Sequence, residues 1–199
     1  MNQPDGEFRD GMPFLGGAIW IDLLNSTLSP DGGATIVDFL EDDRAFARWC
    51  ANANLAAKGP IASERRTAAA LRDLLRPVFD QLAAGKPVSA QLIARINALL
   101  ADAPFIRQIG RGADQPGYQL IEQPAGTPHR VVSRIAEDFA QFATEHEANR
   151  LKRCDNPACT MLFYDRGKNN RRRWCSAAVC GNRDKVANYR ARKSRRDRP

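Results

Sequence analysis

Apolar positions recur at helical spacing through most of the chain upstream of residue 150. Phe46, Trp49, Cys50 and Ala53 follow the i, i+3, i+4, i+7 rule and predict an amphipathic helix over about residues 43–55. Leu71, Leu74, Leu75, Val78 and Leu82 form the stripe of a second helix, with Ser63 as its expected cap and Pro77 as an expected kink or early end. Ser89 is expected to cap a third, which turns Leu92, Ile93, Ile96, Leu99 and Leu100 inward. Val131, Val132, Ile135, Phe139 and Phe142 mark a long helix reaching about residue 147. Residues 105–109 and 118–123 read as two strands joined by the loop 110–117, a hairpin. Residues 16–25 are mostly apolar and are expected to form a short helix ending near Asn25-Ser26. Asp31-Gly32-Gly33 is an expected turn, Gly59-Pro60 and Gly85-Lys86-Pro87 are breaks, and residues 124–128 are a linker. This is a mixed α+β body, mostly helical with a β-hairpin, over residues 1–149.

Downstream of residue 150 the pattern changes. Cys154 and Cys159 form one short pair and Cys175 and Cys180 a second, with fifteen residues between the pairs. Two short Cys pairs joined by a loop can supply the four tetrahedral thiolates that zinc prefers. Asp155-Asn156-Pro157 is turn-forming and suits a zinc knuckle. Two disulfides are the bland alternative. They need an oxidising compartment, and MNQPDGEF has neither the basic nor the apolar region of a secretory leader. Four unrelated buried thiols are the other alternative, which the paired spacing disfavours. Residues 161–164 read as a strand, 166–170 as a turn and 171–174 as the returning strand. From Asn182 to Arg198 no Gly or Pro intervenes, so a helix is expected, with Val186 and Tyr189 as its inward contacts. Knuckle, hairpin and helix, in that order, make a treble-clef-like finger over residues 150–199. All four ligand positions are Cys, which leaves no open position and makes one Zn2+ structural rather than catalytic. Removal of one ligand is expected to unfold the finger and leave the body folded.

The run Cys180-Gly181-Asn182-Arg183, with Arg173-Trp174-Cys175 before it and Lys185 after it, resembles the signature of the CGNR zinc-finger family. The likeness is specific over residues 153–192. Asp22-Leu23-Leu24-Asn25 and Ala70-Leu71-Arg72 are similar to landmarks of the ABATE domain that precedes the finger in that family. The resemblance implies a C-terminal zinc finger behind an N-terminal ABATE domain. It also implies a regulator of transcription induced by stress.

Charge sharpens this reading. The net charge of +7 is unevenly placed. Residues 1–144 hold 14 Lys and Arg against 17 Asp and Glu, whereas residues 145–199 hold 16 against 6. An acidic body with a basic tail suits a tail that meets a polyanion. Arg171, Arg172, Arg173, Arg183, Lys185, Asn188, Arg190, Arg192, Lys193 and Arg196 are the candidate nucleic-acid contacts. Lys185, Tyr189, Arg192 and Arg196 share one face at helical spacing, suited to a major groove or a line of phosphates. Asn188 and Arg190 are the candidates for base edges, and Arg183 either offsets the zinc thiolates or anchors the fold. DNA is the expected partner. RNA is the alternative, with Phe163, Tyr164 and Trp174 either stacking on bases or forming the finger's core. A protein-interaction module with a solubilising arm is a third reading. Homodimerisation or recognition of a signal falls to the body. Asp22 and Asn25, one turn apart, either line a ligand pocket or make local capping bonds.

Catalytic chemistry has little support. His129 and His146 are far apart and have no metal-ligand spacing. Cys50 lies on an apolar stripe, and the acidic run Glu41-Asp42-Asp43 suits a helix start. No HExxH, GxSxG or phosphate-binding loop occurs, so no catalytic residue is assigned. No apolar run reaches the roughly 18 residues of a membrane span. A soluble cytoplasmic protein, nucleoid-associated if it binds DNA, is expected.

Overall fold

A computed structural model describes residues 7–29, 35–55, 60–101, 105–111, 118–124 and 131–196. At its centre lies helix α1 (Ile19–Leu24), with Trp20, Ile21, Leu23 and Leu24 fully buried. Six residues are too few to hold a helix in water, so packing must hold it. Helices α3 (Ile61–Ala83) and α5 (Val131–Glu145) supply that packing. The Trp20 ring meets Phe79, Phe139 and Phe142 at centroid distances of 6.0, 5.3 and 5.2 Å. Helix α2 (Asp43–Asn52) packs on α3, and α4 (Ala90–Ala101) on α5. The Asp42 carboxylate caps α2 by accepting from the Ala45 N–H at 2.7 Å.

The entry to α1 is held by polar groups. Gly16 donates its N–H to Asp22 Oδ1 at 2.7 Å, and Trp20 donates its own to Asp138 Oδ2 at 2.9 Å. A Cβ at residue 16 would lie 2.8 Å from both Asp22 Oδ1 and the Ile21 side chain, so the close approach requires glycine. Gly17 follows with φ +84°, in the left-handed region.

The strands among the described residues pair as two-stranded antiparallel ladders: β1 (Phe8–Arg9) with β2 (Met12–Pro13), β3 (Thr27–Leu28) with β4 (Val37–Asp38), β5 (Phe105–Arg111) with β6 (Tyr118–Pro124), and β7 (Leu151–Arg153) with β8 (Leu162–Tyr164). The β5–β6 hairpin is the one expected from the sequence, two residues longer on its first strand and one on its second. Its Ile109 and Leu120 face each other in register and are both exposed.

Several expectations change. Helix α3 starts at Ile61 behind Pro60, with no side-chain cap; Ser63 already lies inside it. It also continues through Pro77, because Val78 and Phe79 beyond the proline are buried and hold the last turns in place. Ser89 does cap α4, accepting from Leu92 N–H at 3.2 Å. Ile93 is half exposed, since α5 is the main neighbour of α4 and a single stripe through Leu92 and Ile96 satisfies it. Asp31-Gly32-Gly33, Gly59, His129 and the loop 112–117 lie outside the described residues, as does the linker beyond Pro124.

Downstream of α5 a single turn of 3-10 helix, Ala148–Arg150, leads into β7. Strands β7 and β8 then pack into the body. Leu151, Leu162 and Tyr164 join its main core, while Phe163, between the last two, faces a second, smaller core. The Tyr164 ring meets Phe142 edge-on at 5.2 Å and His146 at 5.3 Å. Asn25 reaches across with both ends of its amide. Its Nδ2 donates to Leu162 O at 2.8 Å, and its Oδ1 accepts from Leu162 N–H at 2.9 Å. Tyr164 N–H donates to Gly16 O at 2.8 Å. Arg153 adds an ion pair to Asp80 at 2.7 Å.

Two predictions concern these buried polar groups. Asn25→Ala leaves the Leu162 N–H and C=O without partners and should cost roughly 2–5 kcal/mol in urea unfolding. Burial pushes the Asp22 carboxyl up to about 7, against the opposing Gly16 N–H. A carboxyl raised above its unfolded value of about 3.9 contributes stability below that pH, and the contribution disappears as pH rises through 7. Stability should therefore fall between about pH 4 and 7 by an amount on the order of a few kcal/mol from this group. Asp22→Asn should flatten that slope; an unchanged slope would assign it elsewhere.

Candidate metal centre

The β7–β8 ladder closes the first cysteine pair. Cys154 follows β7 directly and donates its N–H to Met161 O at 3.0 Å, extending the ladder by one rung. The chain then turns sharply. Ala158 N–H donates to Asn156 Oδ1 at 3.0 Å, and Cys159 N–H to Asn156 O at 2.8 Å. This Asx-turn is the local reason for Asn at 156. Thus β7 and β8 form the hairpin of the knuckle, and residues 171–174 are not a returning strand. Met161 stays outside β8, which starts at Leu162.

The segment 165–173 is fixed instead by one buried carboxylate. Asp165 accepts from Lys152 Nζ at 2.7 Å, from Gly167 N–H at 2.9 Å and from Arg172 N–H at 2.8 Å. Burial alone would raise this carboxyl, but these three donors hold it below its ordinary range. Lys152 also donates to Asn170 O at 2.8 Å and Arg172 O at 3.2 Å. The sequence reading missed Asp165 and Lys152. The Asp165-Arg166-Gly167 turn was the available signal, but nothing local indicates that Lys152 meets it.

The second pair is built by a different device. Ser176 accepts from Val179 N–H at 3.2 Å and donates to Glu7 Oε2 at 2.5 Å. Its hydroxyl opens one wide turn of π-helix, Ala177–Gly181, which carries Cys180. Cys175 donates its N–H to Cys154 Sγ at 3.5 Å, joining the two halves.

All four Sγ atoms of Cys154, Cys159, Cys175 and Cys180 lie within 4.8 Å of one another. Cys175 Sγ is 3.7 Å from both Cys159 Sγ and Cys180 Sγ. A zinc tetrahedron with Zn–S bonds of about 2.3 Å has edges of roughly 3.8 Å, so the spacing fits one zinc. No two of the five cysteines form a disulfide. Thiol hydrogen bonds, chiefly from Cys175, bring Cys159 down to about 5. Donating to Cys159 and burial push Cys175 well above the thiol range, and burial and the Cys159 charge bring Cys180 up to about 11. The four sulfurs cannot all ionise at this spacing without a cation, and a bound zinc would supply that charge. Cys50 stands apart: burial in the body pushes its thiol up to about 12, as expected of an inert core residue.

Leu15, Met161, Phe163, Trp174 and Val179 pack around the cysteines. Phe163 and Tyr164 are buried, which removes them as stacking platforms. Arg172 lies over the Phe163 ring at 4.5 Å and donates to Trp174 O and Cys175 O. It is therefore an internal strut rather than a free nucleic-acid contact. Arg173 pairs with Asp155 at 2.7 Å and covers the Trp174 ring at 4.8 Å, but stays exposed. Arg171 and Arg183 are exposed.

Helix α6 (Asn182–Arg196) leaves the π turn directly. The inward role expected for Val186 and Tyr189 fails, since they are 41% and 69% exposed. The finger's core is already filled by residues before the helix. Lys185, Asn188, Arg190, Arg192 and Lys193 are exposed, and Asn188 donates to Asp184 Oδ2 at 3.0 Å. The side chain of Arg196 lies outside the described residues. Asp22 and Asn25 line neither of the two cavities described among these residues, because both side chains are used on backbone groups.

Because β8 is shared with the body, the effect of zinc removal should not stay local. A structural zinc contributes on the order of 10–16 kcal/mol to a finger of this kind. Cys175→Ser should drop zinc content well below one per chain, and it should broaden the near-ultraviolet circular dichroism of the body's Trp20 cluster as well. Full retention of one zinc per chain would refute the four-cysteine site.

Two family profiles match the chain. That of the CGNR zinc finger covers residues 150–193. That of ABATE, described as "Putative stress-induced transcription regulator", covers residues 17–146. No match to a curated protein was found. No helix among the described residues is long and apolar enough to cross a membrane. The ABATE match spans most of the chain, and the four cysteines sit where the CGNR profile lies. The chain belongs to the ABATE family and carries a CGNR zinc finger downstream of that region.

Proposed function

We propose that this protein is a transcription regulator that holds duplex DNA through α6, positioned by a structural zinc, while the body receives a signal or mediates self-association. The observation that carries the reading is the exposure of α6. Arg183, Lys185, Arg190, Arg192 and Lys193 all face solvent, and none pairs with a carboxylate among the described residues. The helix also exposes Val186 and Tyr189 beside these cations. A helix with this much like charge repels itself and, among the described residues, leaves even its apolar side chains exposed, so a polyanion is its natural complement.

Lys185, Tyr189 and Arg192 lie on one face at i, i+4, i+7 spacing. The cations suit phosphates, which position a protein without specifying sequence. Asn188 and Arg190 are the side chains proposed to reach base edges. An RNA partner that relies on stacking would have Tyr189 but not Phe163 or Tyr164, which favours the duplex-DNA reading. No catalytic step belongs to this proposal, and the compartment it implies is the one that holds the DNA.

Selection of the zinc-loaded chain against random duplex DNA, with a folded-RNA pool in parallel near physiological salt, tests the reading. An enriched duplex motif is the expected result, and a palindromic one would also indicate a dimer. Enrichment from RNA alone would replace the DNA partner. The double variant Lys185→Ala, Arg192→Ala should reduce the slope of log K against log salt by roughly two, at about 0.9 for each phosphate the protein no longer neutralises. An unchanged slope would place the binding face elsewhere.

A further inference from the structure

An open cavity of about 470 Å³ lies where the body meets the zinc knuckle. One wall is α3, which contributes Arg72, Asp73 and Arg76; the opposite side is β3, β4 and Thr160 of the knuckle. Its volume is within the range of about 300–1,000 Å³ typical of small-molecule sites.

The two arginines, one helical turn apart, are in different situations. Arg72 is nearly buried and held by three hydrogen bonds. Its Nη1 donates to Asp38 Oδ1 at 2.7 Å and Ser26 Oγ at 2.9 Å, and its Nη2 to Asp38 Oδ2 at 2.9 Å. Burial would raise Asp38, but this fork outweighs it and holds the carboxyl below its ordinary range. Arg76 is half-buried, and among the described residues its one hydrogen bond runs from Nη2 to Leu24 O at 2.8 Å. No carboxylate forms an ion pair with it there. Burial and the neighbouring Arg72 charge both act against its cation, with Arg153 adding to them; Asp73 and Asp38 favour it from a distance. The Asp73 side chain is exposed, so solvent screens it.

The rest of the cavity is different in character. Leu28 and Ile36 present apolar surface beside the arginines, and Ile36 is 72% exposed. A half-buried guanidinium with free donors beside an apolar wall matches an amphipathic anion. Inorganic phosphate would use the charge but not the wall. A neutral apolar molecule would use the wall but leave Arg76 desolvated and unmatched.

From this arrangement we infer that the cavity is a binding site for a small organic carboxylate, with its carboxylate on Arg76 and its apolar body against Leu28 and Ile36. The site touches both units. Thr160 adjoins the ligand Cys159, and its Oγ1 accepts from Ser29 N–H at 3.2 Å, so an occupant touches the body and the knuckle together. Any effect on nucleic-acid binding rests on the function proposed above; the site itself does not.

The test uses the zinc-loaded full chain, isotope-labelled for NMR. Hexanoate and 3-phenylpropionate are the probes, with hexanol and inorganic phosphate as comparisons, each titrated into the millimolar range. Saturable shifts at the amides of Leu28, Ile36 and Thr160 are expected with the carboxylates. Hexanol should bind roughly tenfold more weakly, the scale of a charge-assisted hydrogen bond. Arg76→Gln should weaken the carboxylates by a similar factor and leave hexanol unchanged. Ile36→Asp, on the exposed rim and outside every hydrogen bond described, should weaken them too, so a folding defect in the first variant does not decide the matter. Asp73→Asn should tighten them. Absence of saturable shifts, equal binding of phosphate, or indifference to both Arg76→Gln and Ile36→Asp would overturn the site. DNA binding is measured on the same samples but scored separately. A chain that binds carboxylates but not DNA keeps this site and loses the regulator reading.

Discussion

Strand β8 is three residues long and belongs to two cores at once. Successive side chains of a strand point to opposite faces, so Leu162 and Tyr164 enter the body while Phe163 enters the zinc core. One edge of the strand pairs with β7; the amide of Asn25 and the carbonyl of Gly16 satisfy groups on the other. The Asn25 side chain thus takes the place of a neighbouring strand, with one donor and one acceptor at the right separation. Its position follows from α1, which is held by the Trp20 aromatic cluster and by Gly16 and Asp22 at its entry. If β8 moves, the body's aromatic cluster and the wall of the zinc core move together.

The zinc centre depends on this arrangement in turn. The knuckle turns between β7 and β8, so the ladder fixes Cys154 and Cys159 relative to the body. The other two ligands arrive on a segment with no strand pairing. It is held by a different set of bonds, those of Asp165, Lys152 and Arg172, which run mostly to backbone groups of the segment. These charges are shielded from solvent on the Asp165 side, and a buried carboxylate is tolerated only with donors of this kind. The basic residues of the finger therefore divide by task. Arg172 and Lys152 hold the fold, while the cations of α6 have no internal duty among the described residues.

Legibility in the sequence followed the range of the interaction. Helices α2 to α5 and the β5–β6 hairpin could be read because periodicity is local, and the stripes Phe46-Trp49-Cys50 and Val131-Ile135-Phe139 are buried as expected. The four cysteines could be read because their chemistry leaves few alternatives. The hairpin of the finger was misplaced because residues 171–174 follow the turn at 166–170 and could return from it, while the true partner, Leu151–Arg153, lies before the first cysteine. Only pairing across the knuckle distinguishes them. The roles of Asp22 and Asn25 were not decidable for a similar reason. Their partners are Gly16 and, for Asn25, a backbone more than a hundred residues away. Val186 and Tyr189 obey helical spacing, but spacing says that two residues share a face and not that anything covers it.

A helix that is exposed on nearly every described side has an orientation set only at its root. For α6 that root is the π turn, and the turn is fixed by Ser176, Cys180 and the zinc tetrahedron. Ser176 also donates to Glu7, beside β1, so the body reaches the root of the helix from a second direction. Two routes therefore join the body to α6: one through β8 and the knuckle, the other through Glu7 and Ser176. With both in place the finger cannot swivel as a tethered module would. Rigid coupling of this kind is what a basic helix needs if its grip on a polyanion is to depend on the state of the domain behind it.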